Sequence, residues 1–415
     1  LTGPINLQTG VHITEIYTLG RGLLTLADLV EHDEGTILDF AGEGMVRIAG
    51  YADYSGDTHA EGNAAVIFAH GPPSTGYLIA HDDSYIGTEE TTNIQSSFLS
   101  RVHRTNSIGI VGFDTADLES PAVVSELIDL SVFDGSLRVG TSTAAIFKGT
   151  IIPGSYGYHF GGRGTLTVES SLTYETGLEA TSGLLLFLKG ANSYAGPTRA
   201  GAGAAIVFTG DALPNGTAFN VEAGSYIGYT ETTTDLSVSA FLRHFNTGST
   251  FGVIGFDTEN PSGRVVNAAI NLSGFSSSVY LGTATQATLT GLITPAGTDY
   301  RFTGFRNGQL TVGTALSGSS AVYVGQVQAE VFGYAPGGVT YSPSVTLTGS
   351  NSYTGGTYLQ SGRLLVGNAS ALGTGALHLT NDGIDVGLES TIQGLSISNQ
   401  IVFENYASLA LGGGN

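Results

Sequence analysis

Two aspartates, Asp114 and Asp257, stand in identical Gly-Phe-Asp-Thr settings. A pair of carboxylates is the equipment of a glycoside hydrolase. These two are a whole sequence repeat apart, and in a chain of coils stacked about 5 Å apart they cannot share one active site. Each is therefore expected to cap a turn by accepting backbone N–H groups. His81-Asp82-Asp83, Glu89-Glu90 and the run from Glu31 to Glu34 hold oxygen ligands of the kind a divalent cation takes. Glu222-Ala223-Gly224 replaces the first of these in the second copy of its segment, and no calcium-loop spacing is present, so the acidic clusters read as solvated loops. Basic residues gather in two places, Arg101, His103 and Arg104, and the comparable pair Arg243 and His244. They form candidate binding loops for an acidic glycan or the acidic flank of a neighbouring protomer, against the plainer reading of exposed loops. Tyr85, Tyr226 and Tyr353 offer ring faces for sugars, but their recurrence at matching points favours core or ladder packing, with the rings filling the cross-section of the fold. Neither a Gly-x-Ser-x-Gly elbow nor a phosphate-binding P-loop occurs. No catalytic, cofactor or metal residue is assigned, and the chain is not expected to be an enzyme.

The elements that would position these residues are read from internal repetition. Ser84-Tyr85-Ile86-Gly87 recurs as Ser225-Tyr226-Ile227-Gly228, and Gly109-Ile110-Val111-Gly112-Phe113-Asp114-Thr115 as Gly252-Val253-Ile254-Gly255-Phe256-Asp257-Thr258, with offsets of 141 and 143 residues. A frame G-x-x-x-Y-x-G-x-T appears three times, at Gly50–Thr58, Gly190–Thr198 and Gly349–Thr357. Apolar residues alternate with polar ones over short runs such as Gln309-Leu310-Thr311-Val312, the period of half-buried strands, and Gly, Asn, Asp and Ser punctuate the runs at intervals of roughly 8 to 12 residues. Helix should be close to absent. Leu166, Val168, Leu310, Val312, Leu364, Val366 and Leu377 are the expected core.

Composition narrows the classes further. Of 415 residues 62 are Gly and 11 Pro, which disfavours helix, while 12% charged and 41% hydrophobic residues disfavour disorder. A net charge of −21 repels phosphate backbones and anionic headgroups, so nucleic acid is a poor partner. Cysteine is absent, which removes disulfides and thiolate chemistry. No run approaches the roughly 20 apolar residues of a membrane-spanning helix. Leu1 in the place of a Met reads as a processed product or a piece of a longer chain.

Tandem sandwiches would ordinarily be separated by linkers, and no composition break divides the copies, so stacked coils are the better architecture. The expected fold is all-β, a right-handed parallel β-solenoid (β-helix) built from three imperfect repeats of about 140 residues: 1–48 the end of a preceding unit, 49–189 unit one, 190–346 unit two and 347–415 a truncated unit three. In unit three, Leu347-Thr-Gly-Ser-Asn-Ser-Tyr353-Thr-Gly355-Gly-Thr357, continuing through Gly362, Val366, Ala371-Leu372-Gly373 and Gly375 to Leu379, resembles the autotransporter-associated β-strand repeat. The resemblance covers about 35 residues strictly, with looser matches from Gly50 and Gly190, and Ala52 stands where the motif has Asn. It implies a β-helix passenger displayed outside a Gram-negative type of cell.

The expected function is an extracellular structural solenoid that forms or extends a surface fibre, sheath or adhesin stalk, with a β-helix polysaccharide-degrading enzyme or a glycan-binding adhesin as the alternative. The ends Leu1, Thr2, Gly3, Leu409, Leu411, Gly412 and Asn415 carry the expectation of assembly: the tail resembles Val279-Tyr280-Leu281-Gly282, which inside the chain is followed closely by the equivalent of Leu1. Copies of the chain joined head to tail are the expected partner, with surface glycans second; neither nucleic acid nor membrane insertion is expected.

Overall fold

The computed structural model describes residues 5–7, 13–18, 22–31, 35–209, 212–214, 216, 218–230, 237–325, 342–380, 386–404 and 408–413. Within them the chain winds into a parallel β-solenoid of about 16 turns. One coil shows the construction. Arg138–Gly140, Ala144–Phe147 and Ile151–Ile152 form three sides, and Tyr158–Gly161 opens the next coil by pairing in parallel with the first side. Short strands follow from the glycine and polar punctuation, and their parallel pairing follows from each side returning to the same place one coil later. The helical segments Ile94–Ser97, Leu99–Arg101 and Val238–Leu242 amount to single turns.

The longest ladders are an eleven-stranded sheet from Leu23–Leu26 to Phe245–Thr250 and a thirteen-stranded sheet from Ala122–Val124 to Ile401–Phe403. Alternation within each strand sends one set of side chains into a continuous apolar interior. Leu166, Val168, Leu310, Val312, Leu364, Val366 and Leu377, expected as core, are all buried there. Full burial of each contributes roughly 1.5 to 3 kcal/mol.

The sequence repeat and the coil do not share a period. Six coils along the eleven-stranded sheet lead from Tyr85–Thr88 to Phe219–Val221, and Tyr226–Thr230 then begins on the next side, in the thirteen-stranded sheet. The same step carries Thr58 in a four-stranded sheet to Thr198 in the eleven-stranded one and Thr357 in the thirteen-stranded one. Equivalent residues of successive copies therefore face different sides of the solenoid.

Candidate functional site

Period-two alternation turns Ile86 inward and Tyr85 and Gly87 outward. Gly87, Gly112 and Gly140 pair in register on three successive strands and leave a strip without side chains. The Tyr85 phenol fills it: a Cβ on Gly112 would sit 2.0 Å from Tyr85 Oη. Tyr85 Oη donates to Asp114 Oδ2 at 2.5 Å. Asp114 Oδ1 accepts from the Ser142 N–H at 2.9 Å, Thr143 Oγ1 at 2.9 Å and Thr141 Oγ1 at 3.3 Å.

The second copy repeats the arrangement on the next side. Tyr226 Oη donates to Asp257 Oδ2 at 2.6 Å, and Asp257 Oδ1 accepts from the Ala284 N–H at 2.7 Å, Thr283 Oγ1 at 3.2 Å and Thr285 Oγ1 at 3.3 Å. Burial pushes the Asp114 carboxyl up to about 6, against the opposing pull of its hydrogen bonds, and raises Asp257 for the same reason. Burial, with the neighbouring carboxylate, also holds both tyrosines well above the usual phenol range. The aspartates accept backbone N–H groups, as expected of turn caps, and lie on different sheets. They are structural clamps between coils.

The three tyrosines expected to fill the cross-section do not behave alike. Tyr353 does so, and its Oη shares a 2.5 Å hydrogen bond with Thr357 Oγ1. Tyr54–Thr58 and Tyr194–Thr198 form the same bond at 2.5 and 2.6 Å, which gives the Y-x-G-x-T frame its physical meaning. Tyr85 and Tyr226 are buried instead among outer-face residues of their sheets, in clusters separate from the main core. Strand alternation in Ser-Tyr-Ile-Gly carries the signal for this difference.

Asn192 and Asn351, two positions before the core tyrosines, are a further device that sequence reasoning did not single out. Asn192 accepts from the Leu172 N–H at 3.0 Å and donates to the Ala212 carbonyl at 2.9 Å, so one amide ties three coils. Asn351 does the same between Leu316, at 2.8 Å, and Ala371, at 2.6 Å. Ala52 has no amide to offer and lies in a two-residue strand paired with Leu29–Glu31.

Among the candidate binding residues, Arg101 donates to the Gly76 carbonyl and Arg104 is exposed. His103 Nδ1 faces the Asn106 N–H at 3.2 Å, and its ring meets Tyr77 edge-on at 5.0 Å. Arg243 is exposed, and His244 stacks on Phe219 at 5.1 Å. Arg101 ends the helical segment Leu99–Arg101 and Arg243 follows Val238–Leu242; Arg243 and His244 line an open groove with Phe245 and Asn246. The acidic clusters are partly spent in ion pairs: Glu89 grips Arg47 through two contacts of 2.6 and 2.7 Å, and Asp82 meets Arg138 at 3.2 Å. His32 to Glu34 lie outside the described residues.

A row of half-exposed rings runs down the thirteen-stranded sheet. Tyr323 stacks on Tyr358 at 4.8 Å, Tyr358 on His378 at 4.5 Å, and the Arg301 guanidinium lies 4.0 Å above the Tyr323 ring. Their side chains come together because Arg301, Tyr323, Tyr358 and His378 pair in register on four neighbouring strands. The residues are some 20 to 35 positions apart in the chain, so no local pattern announces the row.

Of the expected assembly ends, Leu1, Thr2, Gly3 and Asn415 lie outside the described residues. Leu409 and Gly412 belong to the strand Leu409–Gly413, which pairs on one edge with Val386–Ser390 and has no second partner among the described residues. Leu411 in the same strand is 75% exposed, and the neighbouring side ends in exposed Ile401 and Phe403. No family model, characterised protein or solved structure matches the chain.

Proposed function

We propose that the chain is a structural β-solenoid of the cell exterior, which forms or extends a surface fibre, sheath or adhesin stalk by stacking coils end to end. The observation that carries this reading is the unbroken parallel stacking of coils, thirteen strands along one side and eleven along another, onto which a further strand of matching register can pair. An open edge presents backbone N–H and C=O groups to any strand of matching register. A head-to-tail contact of that kind does not close, so it propagates. About 16 turns at roughly 4.8 Å each make a rod of about 75 Å, suited to spacing rather than to enclosing a substrate. The resemblance of unit three to the autotransporter-associated repeat supports display outside a Gram-negative type of cell. The charge of −21 would hold neighbouring fibres apart laterally, and salt would screen that repulsion.

Sedimentation velocity over a hundredfold concentration range tests the proposal. Wild-type chain should form elongated species that grow with concentration, and L411E with F403E should remain single rods with an unchanged circular dichroism spectrum. Concentration-independent sedimentation of the wild type would overturn it.

One observation favours a second reading, a glycan-binding adhesin: the row Arg301, Tyr323, Tyr358 and His378 presents ring faces and a cation along one side. Glycan arrays probed with wild type and Y323A/Y358A distinguish it, since binding lost in the variant would place specificity on that row.

A further inference from the structure

His59 and Glu61 are two residues apart at the end of the strand Thr58–Ala60, so both project from its outer face. The next coil pairs Leu78–Ala80 with that strand in register, and continuing the register sets His81 against Glu61. The preceding coil sets Asp39 against His59. Three successive coils thereby deliver two imidazoles and two carboxylates to one patch. His59 Nδ1 lies 3.2 Å from His81 Nε2, His81 Nε2 lies 3.3 Å from Glu61 Oε1, and Asp39 Oδ1 lies 3.9 Å from His59 Nδ1. One ligand atom from each of His59, Glu61 and His81 falls within 4.8 Å of the others.

These separations have a specific meaning. A tetrahedral metal with bonds of about 2.0 to 2.1 Å holds its ligand atoms about 3.3 Å apart. Two of the contacts already stand at that edge length, and a solvent water can take the fourth corner, with Asp39 at the margin of the site 3.9 Å from His59 Nδ1. Imidazole nitrogen selects borderline ions such as zinc over calcium or magnesium, which take oxygen cages. The side chains are partly exposed, with 23% for His59 and 39% for His81, so an ion can enter from solvent.

We propose that His59 Nδ1, His81 Nε2 and Glu61, with a water as fourth ligand, form a zinc-class transition-metal site that fastens two adjacent coils near the N-terminal end of the solenoid. Neither partner set nor spacing is repeated in the second copy, where Arg199 and Gly201 replace His59 and Glu61. The site is thus a local addition to the scaffold, independent of the proposed assembly role.

Titrating the intact chain with Zn2+ by calorimetry, with Ca2+ and Mg2+ as controls, tests the proposal. One saturable equivalent of Zn2+ is expected, reversed by a chelator and absent for the controls. H59A/H81A should lose that equivalent while keeping the circular dichroism of the wild type, and the more exposed single variant H81A should weaken it if the double variant fails to fold. Zn2+ should also raise the thermal midpoint of the wild type and leave that of H81A where it was. Co2+ bound to the wild type should show the intense visible absorption of a tetrahedral ion. Zinc binding equal in wild type and variants, no saturable binding, or a weak octahedral Co2+ spectrum would each overturn the assignment.

Discussion

The clamps Tyr85–Asp114 and Tyr226–Asp257 use the same donors, nearly the same distances and the same strip of glycines, yet one neighbour differs. Arg264 opens the strand Arg264–Val266 beside the second clamp, and Ala122 opens the matching strand Ala122–Val124 beside the first. The buried Arg264 guanidinium lies 4.1 Å over the Tyr229 ring, donates to the Tyr229 carbonyl at 2.8 Å and pulls the Asp257 carboxyl down against the upward push of burial. Asp114 has no such counter-charge among the causes of its shift and sits at about 6. A satisfied hydrogen-bond shell is thus enough to hold a buried carboxyl in this fold, and the cation is an addition made in one copy.

The largest expected difference between the clamps comes from deleting the carboxylates. Asp257→Ala strips acceptors from four donors and removes a negative charge that Arg264 favours, so its cost should exceed that of Asp114→Ala. Asp114→Ala strands only the donors and should cost about 1 to 3 kcal/mol. Hydrogen exchange at the Ala284 and Ser142 amides, with denaturant unfolding alongside, measures both; equal losses would remove the significance given to Arg264.

Acid sharpens the comparison next. The folded Asp114 carboxyl titrates near 6 against 3.8 for the free side chain, so the native state binds the proton more tightly. Its contribution is fully present below the unfolded value and is lost as pH rises through about 6, a total of about 3 kcal/mol. Wild type should lose most of that, about 2.4 kcal/mol, relative to Asp114→Asn between pH 4 and 7 in parallel denaturant titrations. A difference that stays flat, or grows in favour of the wild type, contradicts the assignment.

Adding a methyl to the glycine strips should cost about 1 to 3 kcal/mol, since a Cβ on Gly112 or Gly255 would lie 2.0 or 1.8 Å from the tyrosine oxygen. The cost should shrink in Tyr85→Ala or Tyr226→Ala backgrounds, a coupling that a double-mutant cycle reads directly. Gly22→Ala, with no atom within 4 Å, is the control expected to change little. Smallest is Tyr353→Phe, which removes the bond to Thr357 while Thr357 keeps the Leu372 carbonyl at 3.3 Å; thermal unfolding should register about 1 kcal/mol.

Much of this architecture was legible before any coordinate. Alternating runs such as Gln309–Val312 showed the buried faces, and the repeated Gly-Phe-Asp-Thr announced carboxylates that accept backbone N–H groups. What stayed hidden depends on which coil lies against which. The offset of one side per repeat is invisible in the 141-residue spacing, because a side and a coil are both made of the same short strands. Tyr85 was read as interior packing although Ile86 beside it holds that face. His59 and Glu61 escaped notice, and His81 was read only with its sequence neighbours, because their meeting requires the register of two coils; Asp82 and Glu89 of the expected clusters turn to Arg138 and Arg47.

The proposed assembly, with the coils of one copy stacked on those of the next, is tested most directly by electron microscopy of the purified chain at increasing concentration. Fibres one solenoid wide, with an axial repeat of about 75 Å, are the predicted result. Isolated rods of that length at every concentration and ionic strength would contradict it.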